Sequence, residues 1–221
     1  MNETIFLLHL TIAAAFLYPF IQMGKSGLMC WICLQPILAN LFVLKQIQLF
    51  GLTVTCSDVY AVSCALGLNL LQEYYGKEIA KKAVWCSFML LVFFVVMSMM
   101  HLFYEASQTD YTQGAYTQIL SSTPRLVAAS ITSFLIVQWF DVQFYGFLKS
   151  KSQTLSLFVR NITSLAVSQF IDTVLFTILG LWGLVSELFD VFLVSFVIKL
   201  TIALLLSLST MRKQAHEHVS V

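Results

Sequence analysis

Charge is what this sequence has least of. Lys, Arg, Asp and Glu make up 10% of its 221 residues, against roughly 25% in soluble globular domains, which excludes an ordinary water-facing surface. The 12 basic and 11 acidic residues nearly cancel. There is thus neither the basic excess that a phosphate backbone attracts nor an acidic tail, and nucleic acid is not an expected partner. No Ser/Gly-rich linker divides the chain, so a single polytopic domain is expected over residues 1–221. The cysteine count of five is odd and leaves at least one thiol free, which argues against a disulfide framework. Cys30-Trp31-Ile32-Cys33 fits the C-x-x-C pattern but lies inside an apolar run, where small packing residues are the plainer reading. His216 and His218 stand in a short polar tail that reads as a solvated end. Also missing are G-x-x-x-x-G-K-[ST], H-E-x-x-H and G-x-S-x-G, the marks of P-loop ATPases, zincins and serine hydrolases. The chain is read as no enzyme, with no cofactor and no metal.

What fills the chain instead is apolar: 59% of residues are hydrophobic, 19 of them Phe, and the mean hydropathy is +0.85. A spanning helix needs about 20 mostly apolar residues. Seven segments meet this: Thr4 to Met23, Leu28 to Leu49, Leu52 to Tyr74, Ala83 to Tyr104, Pro124 to Leu148, Leu157 to Trp182 and Glu187 to Ser209. The first opens on Asn2-Glu3 rather than on basic residues and is long for a cleaved signal, so it reads as a retained helix. With the N-terminus outside, Lys25, Lys77, Lys81, Lys82, Lys149, Lys151, Arg160, Arg212 and Lys213 all fall inside. Only Lys45 and Arg125 fall outside, where Glu105, Asp110 and Glu187 also lie. The positive-inside rule therefore predicts an all-α integral membrane protein, a bundle of seven transmembrane helices with N-out, C-in topology. A re-entrant Leu28 to Leu49 would instead give six spans and an inside N-terminus.

Ionisable groups at membrane depth cost about 2.5 to 3.5 kcal/mol on insertion scales, so they usually face a bundle interior, a partner or a cavity. The fifth segment carries Gln138 and Asp141, and the sixth carries Gln169 and Asp172. Each pair is spaced i and i+3, which puts amide and carboxylate on one helix face. Two consecutive antiparallel helices can turn these pairs toward one cavity, or use them as interhelical adhesion. Lys199, near the middle of the last segment, has no acid one turn away. Its counter-charge must come from another helix, and Asp172 is the candidate, either in a site or in a purely structural ion pair. Gln35 and Asn40 in the second segment, and Asp58, Asn69, Gln72 and Glu73 in the third, complete the polar inventory. It suits a small, flat solute rich in donors and acceptors, such as a guanine-like base whose ring N–H and exocyclic amine a carboxylate can accept. Two acids against one lysine also favour a cationic solute. Trp139, Phe140, Tyr145 and Phe170 stand near enough in sequence to supply a stacking face.

Three blocks resemble the queuosine precursor transporter family, also called the vitamin uptake transporter family. They are Asn69-Leu70-Leu71-Gln72-Glu73-Tyr74-Tyr75-Gly76-Lys77, then Pro124-Arg125-Leu126-Val127-Ala128-Ala129-Ser130 continuing to Gln138 and Asp141, then Arg160-Asn161 with Ser164, Ser168-Gln169-Phe170-Ile171-Asp172-Thr173 and Phe176. Lys199 falls where that family has a lysine in its last helix. Asn69 stands where the family usually has Asp. The likeness implies a six-helix transporter core over residues 28–209, with an accessory first helix over 1–24. It also implies uptake of a 7-deazaguanine base (queuine, preQ1 or preQ0) across a bacterial inner membrane, without an ATPase in this chain. The implied substrate-binding residues are Asn40, Asn69, Gln138, Asp141, Gln169, Asp172 and Lys199. Structural or gating roles fall to Glu73, Arg125, Arg160, Asn161 and Ser164. Two other classes stay open: a substrate-binding membrane subunit that needs an energising partner, and a membrane-embedded enzyme using the aspartates as acid and base. The lipid bilayer and a purine-like small molecule are the expected partners, and association into homo-oligomers is left open.

Overall fold

The fold was obtained as a computed structural model that describes residues 1–42, 45–55, 57–121, 124–151, 156–182, 189, 192, 193 and 195–204, without the side chains of 46, 52–55, 124–127 and 181. The elements in chain order are α1 (Asn2–Gln22), α2 (Gly24–Phe42), β1 (Gln46–Leu49), β2 (Leu52–Thr55), α3 (Asp58–Tyr75), α4 (Lys77–Leu102), α5 (Gln113–Leu120), α6 (Pro124–Lys151) and α7 (Leu157–Phe176). A π-helical turn, Thr177–Leu181, extends α7. The described part of the last helix, α8, is Ser195–Leu204.

Among the described residues, four helices are long and apolar enough to cross a membrane: Asn2–Gln22, Lys77–Leu102, Ala128–Lys151 and Leu157–Gly180. Burial is inverted relative to a water-soluble protein. Phe16, Trp85, Met89 and Phe93 are exposed on the outside, while Gln72, Gln138, Asp141, Asn161 and Gln169 are buried. Apolar outside and polar inside is the pattern of a multi-pass helical membrane protein.

The second and third expected segments are corrected. The apolar stretch between them does not continue α2 or begin α3. It forms an antiparallel hairpin in which Gln46 pairs with Thr55, Ile47 with Val54, Gln48 with Thr53 and Leu49 with Leu52. Phe50 and Gly51 make the two-residue turn with φ of 52° and 80°, the left-handed backbone that such a turn requires and that glycine adopts at least cost. The hairpin lies beside the start of α1. There Asn2 Nδ2 donates to the Gln48 carbonyl at 2.8 Å, and the Phe50 amide donates to Glu3 Oε1 at 3.3 Å.

α3 is the central element, packed by α1, α2, α4, α6 and α7 and buried along most of its length. Its partners fix the helix directions. Trp31 Nε1 of α2 donates to the Ser63 carbonyl at 3.2 Å, and Phe42 stacks on Tyr60, so α2 and α3 run antiparallel. Pro36 of α2 has no N–H to give the Ile32 carbonyl one turn back. Ser87 of α4 donates to that carbonyl at 3.2 Å instead, and Cys64 Sγ of α3 approaches it at 3.5 Å. A missing helix bond thus becomes the joint of three helices. At Gly67 an added Cβ would lie 2.9 Å from Trp31 Cδ1, so glycine there sets the close approach of α2 and α3.

Several expectations fall outside the described residues: the Glu187 end of the last segment and its 205–209 end, Arg212, Lys213, His216 and His218, and the side chain of Arg125.

Candidate functional site

α3, α6 and α7 meet along a buried polar column. α6 runs parallel to α3, because Gln138 Nε2 reaches Cys64 Sγ at 3.4 Å, Gln72 Nε2 donates to the Val142 carbonyl at 3.0 Å, and Tyr145 Oη donates to Glu73 Oε2 at 3.0 Å. α7 runs the other way, with Arg160 at the Glu73 end and Asp172 at the Asp58 end. Gly146 permits the α3 and α6 approach, since a Cβ there would stand 2.9 Å from Gln72 Nε2.

An ion-pair group stands at each end. At one, Lys199 Nζ of α8 donates to Asp172 Oδ2 at 2.5 Å and to Thr173 Oγ1 at 3.4 Å, and lies 3.7 Å from Asp58 Oδ1. The expected partnership of Lys199 with Asp172 is present, and Asp58 joins it. At the other end Glu73 binds Arg160 Nη2 at 2.8 Å, and Lys149 Nζ donates to the Glu73 carbonyl at 2.7 Å. Asp58 begins α3 and Glu73 lies in its last turn, fifteen residues on, or about 22 Å at 1.5 Å rise per residue.

Between them lies Asp141, fully buried. Its Oδ1 accepts from Ser164 Oγ and from Ser168 Oγ, each at 2.6 Å, while Oδ2 has no hydrogen-bond partner. The two Gln/Asp pairs do face inward, as their spacing predicts, but they are not equivalent. Asp172 is charge-paired, whereas Asp141 meets only hydroxyls. Other side-chain atoms of the column are buried without partners among the described residues: Asn69 Nδ2, Gln72 Oε1, Gln138 Oε1, Asn161 Oδ1 and Gln169 Oε1. Buried polar atoms are nearly always satisfied in folded proteins, and these lie together on three facing helices.

Asn40 stands apart from this set. Its amide donates to the Pro36 carbonyl at 2.9 Å, and its oxygen accepts from Ser130 Oγ at 3.1 Å, so it joins α2 to α6. The expected stacking face is not assembled. Trp139 and Phe170 lie on the outside of the bundle, Phe170 against Phe192 and Phe196, and Phe140 stacks on Phe144. Tyr145 alone of the four is fully buried, and its hydroxyl is taken by Glu73. A groove of about 580 Å³ between α4 and α6, lined by Trp85, Ile136 and Trp139 among others, opens outward and is separate from the column. Asp58 and Gln72 stand in the polar inventory of the sequence and Ser168 in its family-like block, without an assigned role; Ser63 and Ser133, whose Oγ atoms are also buried without partners among the described residues, look like any other serines in an apolar helix.

The profile of the family described as "Putative vitamin uptake transporter" matches residues 55–212. A "Probable queuosine precursor transporter" of Bacillus subtilis (strain 168) is 33% identical over 186 residues, covering 82% of this chain and 81% of that protein. No solved structure matches the chain. The family match begins at the end of β2 and takes in α3, α6 and α7, the helices that carry the polar column. On both the profile and the relative, the chain belongs to the vitamin uptake transporter family.

Proposed function

We propose that the chain imports a queuosine precursor, a 7-deazaguanine base, across a bacterial inner membrane, crossing it seven times with the N-terminus outside. The observation that carries this reading is the set of unpartnered buried polar atoms on α3, α6 and α7. A planar base with ring N–H, exocyclic amine and carbonyl can answer carboxylate and amide groups of this kind, and the Bacillus subtilis relative is named a probable queuosine precursor transporter. In this reading Gln138, Asp141 and Gln169 meet the base directly, with Asn69 across from them on α3. Asp172 and Lys199 close one end of the site, and Glu73, Arg160 and Lys149 the other. The two ion-pair groups part in turn, exposing the site to one side of the membrane and then the other. Asn161 and Ser164 line the path, and Asn40 holds α2 to α6.

The solute leaves chemically unchanged, and the driving force is an ion gradient or metabolic trapping rather than an ATPase of this chain. The test is uptake of a labelled base into liposomes that hold the purified chain and no other protein. Uptake of intact base is expected; no uptake, or recovery of a converted product, would contradict the reading.

A further inference from the structure

The charges inside the column do not balance. Lys199 is shared by Asp172 and Asp58, at 2.5 and 3.7 Å, so that group carries one negative charge more than positive; Glu73 between Arg160 and Lys149 carries one positive charge more than negative, and Asp141 is the acid left over. Asp141 lies between the two ion-pair groups with no cation beside it among the described residues. Its neighbours are Ser164 and Ser168 of α7 on one oxygen, and Gln138 on its own helix, whose amide is turned to Cys64 of α3. The second oxygen is unpartnered, and the residue has no exposed surface. An isolated carboxylate at this depth is costly until a positive group or strong donors reach it.

The atoms left open around it point the same way. Gln72 Oε1 is an acceptor by necessity, because its amide nitrogen is committed to the Val142 carbonyl. Gln138 and Gln169 each leave an oxygen open as well. With Asn69 Nδ2 the one open amide donor of the column among the described residues, acceptors predominate, and an acceptor-rich site with an unbalanced acid is complementary to a solute that brings donors and a positive charge. A primary ammonium brings three N–H donors and one charge in a compact group.

Resting on the reading above, we propose that Asp141 selects a cationic solute: a 7-deazaguanine bearing a protonated aminomethyl group, in preference to the neutral base bearing a nitrile. The ammonium donates to Asp141 Oδ2, and the flat ring is read by the amides. Charge-assisted hydrogen bonds are about twice as strong as neutral ones, and the neutral base leaves the carboxylate buried and unpartnered.

The test uses the full chain in liposomes, with labelled preQ1 as the transported base and unlabelled preQ1 or preQ0 as competitor. These two bases differ only in aminomethyl against nitrile. The wild-type chain is expected to prefer preQ1 by at least about tenfold, the factor that one charge-assisted bond supplies. In Asp141→Asn the ratio of the two apparent affinities is expected to fall toward one. Equal competition in the wild type would overturn the proposal, and needs no variant to fold. A preference that survives in Asp141→Asn would move charge selection to the Asp58 and Asp172 group and overturn the role of Asp141. If the labelled base does not enter at all, the proposed function falls together with this inference.

Discussion

Lys199 shows how an ion pair inside a membrane protein should be tested. It holds two carboxylates, Asp172 and Asp58, so Lys199→Met leaves two acids without a counter-charge. Removing one partner of a buried pair costs roughly 3–5 kcal/mol. We expect Lys199→Met to unfold at lower temperature in detergent, and the double variant Lys199→Met/Asp172→Asn to regain part of that loss without regaining uptake. Asp172→Asn alone keeps Lys199 paired with Asp58. It should therefore reach the membrane at normal levels, seen by immunoblot, while uptake falls to background; normal uptake would refute the role of Asp172. The Gln-x-x-Asp spacing in two successive apolar helices made the inward faces legible from the sequence. The pairing of Lys199 with Asp172 was legible too; that Asp141 meets the hydroxyls of Ser164 and Ser168 was not, because it depends on which face of α7 lies beside α6. The role of Asp58 is not legible for a related reason: its ion pair with Lys199 depends on α8 lying beside the start of α3.

Among the elements, the β1–β2 hairpin is the one that a search for spanning-length segments misses. Gln46-Ile47-Gln48-Leu49 and Leu52-Thr53-Val54-Thr55 alternate polar and apolar with period two, around Phe50-Gly51, which is a strand-turn-strand pattern. An average over a spanning-length window hides that alternation, and the stretch then reads as parts of two apolar segments. The exposed edges of a two-stranded sheet are not tolerated in lipid, and the hairpin accordingly lies at the start of α1 with Asn2 and Glu3 on its backbone. The α2, α3 and α4 joint gives two further predictions. Gly67→Ala forces a Cβ to within 2.9 Å of Trp31 Cδ1, and overpacking of this kind costs about 1–3 kcal/mol. Ser87→Ala leaves the Ile32 carbonyl with only the weak Cys64 thiol, at about 1–3 kcal/mol for a buried group deprived of its partner. Both should lower the unfolding midpoint in detergent, and an unchanged midpoint would contradict the packing described.

In the whole molecule, α3 and α6 run one way and α2 and α7 the other. Glu73, Lys149 and Arg160 gather at one end, and the hairpin with the start of α1 stands at the other. The absolute orientation is open to a direct test. In a background without the native cysteines, Tyr111→Cys, an exposed position before α5, should react with a membrane-impermeant thiol reagent on intact cells. Lys77→Cys should react only after permeabilisation, and the opposite pattern would reverse the topology.

If the open polar atoms of α3, α6 and α7 hold a base and carry it across the membrane, as proposed, cells that lack their own importer and express this chain accumulate labelled 7-deazaguanine bases. Saturable accumulation, competed by unlabelled base and lost in Asp172→Asn, is the predicted result. No accumulation above empty cells, with the protein shown to be in the membrane, would contradict it.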